Sequence, residues 1–160
     1  MTTTQKIKNC CLIAVLFLFS FSLVKADHAT WNGSVSKSWE DNDNWSTGKV
    51  PSSNDTVTIE TGSNDVNLDK PVTVKMFTMS SGLLDMQTYD LMVTSKAVFQ
   101  SGEILNGNVI VTGTGSVTFS GTVFTAKVRI SSNSIFLNGS VFNDSLLITK
   151  KGKSNDMSKG

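Results

Sequence analysis

The segment Val-Thr-Phe-Ser-Gly-Thr-Val-Phe at 117–124 returns 18 residues later as Ile-Phe-Leu-Asn-Gly-Ser-Val-Phe at 135–142. A unit this short cannot bury an apolar face by itself, so its copies have to stack on one another. Traced backwards, the repeat becomes five copies in register. One column holds Val57, Phe77, Ala97, Val117 and Ile135, and a second, two places on, holds Ile59, Met79, Phe99, Phe119 and Leu137. Gly62, Gly82, Gly102, Gly121 and Gly139 follow just beyond it. A third column reads Leu84, Ile104, Val123 and Val141, with Val66 as a looser first member. The last pair reads Val72, Leu91, Val109, Val128, Leu146, then Val74, Val93, Val111, Ile130, Ile148.

Residues two apart lie on the same face of a strand. A glycine recurring beside them supplies the positive φ that a sharp change of direction requires. The expected fold is therefore all-β: a single-stranded parallel β-helix, or β-solenoid, of about five rungs over residues 55–149. With neighbouring strands about 4.8 Å apart, the stack should stand on the order of 20–25 Å tall. Sandwiches and jelly rolls also use many short strands, but they do not require the same residue type to recur in register. On this reading Phe119, Val123, Leu137 and Val141 are core residues.

Residues 1–26 have the three parts of a secretory signal peptide: Lys6 and Lys8, the apolar run Leu12 to Val24, and a small-residue cleavage site at Val24-Lys25-Ala26. The run is shorter than the roughly 20 residues of a membrane span, so the chain should not span a membrane once the leader is removed. A secreted or cell-surface location follows. Cys10 and Cys11 both lie in the leader, which leaves no disulfide or thiolate metal site after export. Removing Lys6, Lys8 and Lys25 from the 14 basic residues leaves 11 against 13 acidic ones, so no basic face for nucleic acid is expected. The acidic residues concentrate in 27–70, whereas the tail 150–160 is polar and basic, with Lys150, Lys151, Lys153 and Lys159. That tail offers little apolar bulk to cover the last rung. Its lysines discourage edge pairing, or the chain is a piece of a longer solenoid, or the last rung docks a partner end to end.

Residues 27–54 carry Trp31, Trp39 and Trp45 among Asn, Ser, Gly and Asp. Three large rings close together either cap the first rung as buried apolar area or form an open platform for sugar stacking. The sequence leaves both open. Asn44-Trp45-Ser46-Thr47-Gly48-Lys49-Val50-Pro51, then Asp55-Thr56-Val57-Thr58-Ile59, then Val66-Asn67-Leu68-Asp69 resembles the start of secreted and cell-surface parallel β-helices. It is similar to the opening of G8 domains and of adhesin-type and autotransporter-type passenger domains, over roughly residues 31–105. The resemblance implies a secreted or surface-displayed β-helix with an N-terminal tryptophan-bearing cap. It brings no active-site motif onto this chain.

A β-helix that cleaves polysaccharides needs paired carboxylates, or a carboxylate and a base, on adjacent rungs. The columns put Asp85 over Leu105 and Phe124, Glu103 between Leu83 and Thr122, and Asp90 beside Asn108 and Lys127, with no acid stacked on another. The single histidine, His28, follows the cleavage point closely. No catalytic residue and no cofactor are assigned. Asp41 and Asp43 are weak candidates for calcium, which takes six to eight oxygens; a turn made by Asn and Asp is the simpler reading.

Thr58, Thr78 and Thr118 form an outward hydroxyl column interrupted by Val98 and Phe136. Thr is also simply a good strand residue, and the interruptions argue against a flat ice-type surface. Met92, Ile110, Arg129 and Leu147 form a second, mostly apolar outward column, of the kind that contacts another chain. Asn32, Asn44, Asn54, Asn138 and Asn143 each begin an Asn-x-Ser/Thr glycosylation sequon. The expected function is a non-catalytic β-helix for cell-surface adhesion or recognition of a surface glycan or protein. The alternatives are a polysaccharide-active enzyme and a structural fragment with no ligand of its own.

Overall fold

The computed structural model describes residues 25–153 and 157–159. The signal peptide, with Cys10 and Cys11, lies outside the described residues except for Lys25 and Ala26. The chain begins with β1 (His28–Thr30) and passes through a 3-10 turn at Asn42–Asn44 before entering the coil. Each turn of the coil then visits three faces in order. The strands are β2 (Thr56–Ile59), β3 (Val66–Asn67), β4 (Val72–Met79), β5 (Leu83–Asp85), β6 (Asp90–Phe99), β7 (Gly102–Leu105) and β8 (Asn108–Val111). They continue as β9 (Ser116–Ser120), β10 (Thr122–Phe124), β11 (Lys127–Ser132), β12 (Ser134–Asn138), β13 (Val141–Phe142), β14 (Leu146–Lys150) and β15 (Met157–Lys159).

Among the described residues every pairing between these strands is parallel. The second face is a five-stranded sheet in the order β13-β10-β7-β5-β3. The first and third faces share a 10-stranded sheet, because β4 and β6 run from the third face of one rung into the first face of the next. The fold is a parallel β-solenoid of about five turns. Val57, Phe77, Ala97, Val117 and Ile135 stack on the first face, and Val72, Leu91, Val109, Val128 and Leu146 on the third. The alternating buried pattern of the strands follows from the period of two in side-chain direction. The corner glycines 62, 82, 102, 121 and 139 all have positive φ, between 68° and 99°.

The second face corrects one column. Ile104 pairs with Phe124 and Phe124 with Phe142, while Val123 lies between Glu103 and Val141. Phe124 is buried, Phe142 packs on the core, and Val141 is 49% exposed. Val123 and Val141 are therefore outward residues. Matching Gly121 to Gly102 by type shifts this copy by one place, and a shift of one exchanges the two faces of a strand. The rings gained by the interior form a continuous cluster with Phe77, Phe99 and Phe119.

The two ends differ. At the N-terminal end Trp31, Trp39 and Trp45 meet edge to face, with centroids 5.0 and 4.6 Å apart. Trp45 Nε1 donates to Trp39 O and Trp31 Nε1 to Asn64 O. At the other end, Ile148 and Leu147 are 39% and 59% exposed. Within the polar, basic tail, β15 pairs with β12 on the first face. The free backbone edge of β12 accounts for this, since such an edge templates any segment within reach.

Asp55 ties the first rung to the segment before it. Its carboxylate accepts from the backbone N–H groups of Asp27 and Ser52, both at 2.7 Å, and from the Ser52 hydroxyl at 2.8 Å. Burial pushes this carboxyl up, but the three hydrogen bonds and the charge of Lys49 together outweigh burial and hold it below its ordinary value. A carboxyl depressed in the folded state stabilises above its unfolded pKa, and that stability is lost as pH falls through the folded value. Urea midpoints are therefore expected to drop on acidification below about pH 4. In Asp55→Asn the acid drop should be smaller, starting from a lower stability at neutral pH.

Candidate functional site

The residues singled out from the sequence fall in four places. Trp31, Trp39 and Trp45 are only 2%, 0% and 2% exposed. A stacking platform needs an open ring face, and these rings have none, so they are corrected from binding candidates to buried packing. Thr58, Thr78 and Thr118 share one outward column on the first face, with Val98 and Phe136 between or below them. Thr30 extends the column upward, and His28 Nε2 lies 2.8 Å from Thr58 Oγ1. Asp41 caps the 3-10 turn: one carboxylate oxygen accepts from Asp43 N and the other from Ser36 Oγ. No group of three or more His, Cys, Asp or Glu side chains suited to a metal ion occurs among the described residues.

Met92, Ile110, Arg129 and Leu147 stand directly beside one another on the third face. A shallow groove of about 200 Å³ runs between Ile110, Arg129 and Leu147 and the neighbouring Thr112, Ser131 and Thr149. Of the sequons, Asn32, Asn54, Asn138 and Asn143 are exposed. Asn44 is corrected, because its side chain is 0% exposed. Its amide nitrogen donates to Ser36 Oγ and Ser38 O, and its amide oxygen accepts from Val35 N and Ser36 N. A glycan linked at that nitrogen has no room in the folded chain.

A further concavity lies where the second face turns into the third on the first two rungs. Asn67, Leu68, Asp69, Gln87, Thr88 and Tyr89 line a groove of about 460 Å³. The turn Met86-Gln87-Thr88-Tyr89 is closed by Tyr89 N donating to Met86 O at 2.8 Å. Gln87 has φ of 55°, the left-handed region that disfavours a side chain. Asp85 holds it there: its carboxylate accepts from Gln87 N at 2.8 Å and Gln87 Nε2 at 3.0 Å. Asn106 Nδ2 donates to the same carboxylate at 2.7 Å, tying the turn to the rung beyond. On the opposite wall, Asp69 accepts from the Ser38 hydroxyl.

Comparison with protein-family models, curated proteins and solved structures finds no match. The groove has to be read from its own chemistry. It offers the amides of Asn67 and Gln87, the carboxylate of Asp69, the hydroxyl of Thr88 and the half-buried ring of Tyr89. Sequence reasoning missed it because corner residues do not repeat: Leu68-Asp69-Lys70-Pro71, Met86-Gln87-Thr88-Tyr89 and Leu105-Asn106-Gly107-Asn108 occupy equivalent turns. The one available signal was Gln87 at a place where the next rung has Asn106-Gly107, a pair suited to a left-handed turn.

Proposed function

We propose that this chain is a secreted, non-catalytic recognition protein of the cell surface, and that its corner groove takes a segment of neutral, hydroxyl-rich glycan. The observation that carries the reading is a left-handed glutamine fixed by a carboxylate at the rim of a polar groove. Backbone held in a disfavoured region by purpose-placed hydrogen bonds is a mark of functional sites. Amides and a carboxylate together both donate to and accept from vicinal hydroxyls, and the groove falls within the size range of small-ligand sites. Paired strands bring no carboxylate next to another among the described residues, which favours binding over polysaccharide cleavage. Export rests on the leader, and the resemblance to G8 and adhesin-type openings agrees with a surface role.

A glycan array followed by calorimetry tests this. Asp69→Ala and Gln87→Ala should each weaken the retained glycan at least tenfold. Gln87→Gly separates binding from folding: glycine takes the left-handed turn without steric cost, so the fold should be at least as stable while the glycan is lost. A wild-type chain that retains no glycan, or a Gln87→Gly variant that binds unchanged, would overturn the assignment.

A further inference from the structure

We infer that Asp55 is the receiving site for the amino terminus that leader removal creates at Asp27, so that cleavage itself supplies the cation this carboxylate lacks. The inference rests on the export reading and adds to it a place for the new terminus. Asp55 is 5% exposed and is the only buried carboxylate among the described residues. A buried charge is costly unless it is paired and hydrogen-bonded. No side-chain cation of the described residues lies within ion-pair distance of Asp55, and the nearby Lys49 ammonium is held at 2.6 Å by the Asp27 carboxylate instead. Asp55 Oδ2 takes the N–H and the hydroxyl of Ser52, while Oδ1 takes the N–H of Asp27 at 2.7 Å. The carboxylate oxygen left for a cation therefore meets the backbone nitrogen of Asp27.

Asp27 is also where the folded chain begins to be held. Thr56 N donates to Asp27 O at 2.9 Å, Lys49 Nζ donates to Asp27 Oδ2, and β1 starts at the next residue. Lys25 and Ala26 are exposed and belong to no strand. The small-residue pattern Val24-Lys25-Ala26 places cleavage at the same bond, independently of any of these contacts. Hydrolysis there breaks the C–N bond between Ala26 and Asp27. The oxygen of the water goes to the Ala26 carbonyl carbon, which leaves as a carboxylate, and its two hydrogens go to the Asp27 nitrogen, which becomes an ammonium. A neutral hydrogen bond to Asp55 thereby becomes a charge-assisted one, the stronger kind. Asp55 immediately precedes β2, the partner of β1, so the new ion pair fastens the first pairing of the stack.

Mass spectrometry of the chain secreted by a host expressing residues 1–160 should show Asp27 first. By NMR its α-amino group should titrate above about 9, against an ordinary value of about 7.7–8.0. A group raised by folding stabilises below its unfolded value, and that stability is lost as pH rises through the folded one. Urea midpoints should therefore fall between about pH 8 and 9.5. The charged and titratable groups around the terminus are Asp55, the Asp27 carboxylate, His28 against Thr58, Lys75, whose backbone N–H meets Asp55 O, and Lys49, which its bond to Asp27 keeps charged through that window. Inserting Gly-Ser between Ala26 and Asp27 retains the Asp27 N–H but moves the charge away. That variant should show a lower midpoint at pH 7 and no alkaline fall. Asp55→Asn should also lose the alkaline fall and return the α-amino group to its ordinary value. A secreted chain with its leader intact overturns the inference together with the export reading. Cleavage at another bond overturns the inference alone, as does an Asp27 terminus with an ordinary α-amino value and an alkaline fall that the Gly-Ser variant shares.

Discussion

Phe99→Ala is expected to cost about 3–5 kcal/mol, the range for deleting a buried aromatic ring. Its ring centroid lies 5.5 Å from Phe77, 5.3 Å from Phe119 and 5.4 Å from Phe124, so it joins three successive rungs. In a solenoid, stability is a sum of rung terms and nearest-neighbour interfaces. Removing the ring weakens two interfaces together and divides the stack near its middle. The consequence should be visible as lost cooperativity as well as lost stability. All three tryptophans sit at the N-terminal end, so their fluorescence reports that end alone, while far-ultraviolet circular dichroism reports every strand. In urea the two probes should coincide for the wild type and separate in Phe99→Ala, with the dichroism falling first. Coincident curves, or a loss below about 1 kcal/mol, would show that the ring stack does not couple the rungs.

Gly107→Ala should be nearly as damaging for a different reason. A Cβ at Gly107 would lie 2.1 Å from Tyr89 O and 3.0 Å from Met86 Cβ, and its φ of 53° is left-handed. The conformation alone costs about 1–2 kcal/mol for a residue with a Cβ. The carbonyl contact cannot be relieved by a rotamer change, only by separating two rungs, so a total above about 4 kcal/mol or failure to fold is expected. Gly62 is the control: its φ is 81°, but nothing lies within 4 Å of a Cβ built there. Gly62→Ala should show only the conformational cost of about 1–2 kcal/mol. Equal melting temperatures for the two variants would mean that the rungs do not approach as closely as this corner requires.

The stacked columns on the first and third faces were legible because the same apolar types return at nearly constant spacing, and burial of an inward face demands nothing more specific. The second face was legible only to within one residue. In Thr122-Val123-Phe124 the two apolar neighbours compete for the inward place, and the hydrogen-bonded pairing with Ile104, which the sequence does not display, decides for Phe124. Asn44 reads as a sequon in sequence, yet its amide is the hub of the turn that positions Trp45. What a short polar side chain does depends on which backbone groups the fold brings to it. The corner groove was the least legible part. It is built from residues that differ from rung to rung, so the regularity that exposes the fold carries no information about it.

The direction of the hydrogen-bond ladders governs how the molecule would carry load. These bonds lie across the strands, hence along the axis of the coil, with β1 bonded to the first turn and β14 to the last full one. Tension applied between the two ends would pull on each ladder lengthwise and release turns singly, instead of shearing many bonds at once. A stack built this way yields in small steps, each releasing one turn of chain.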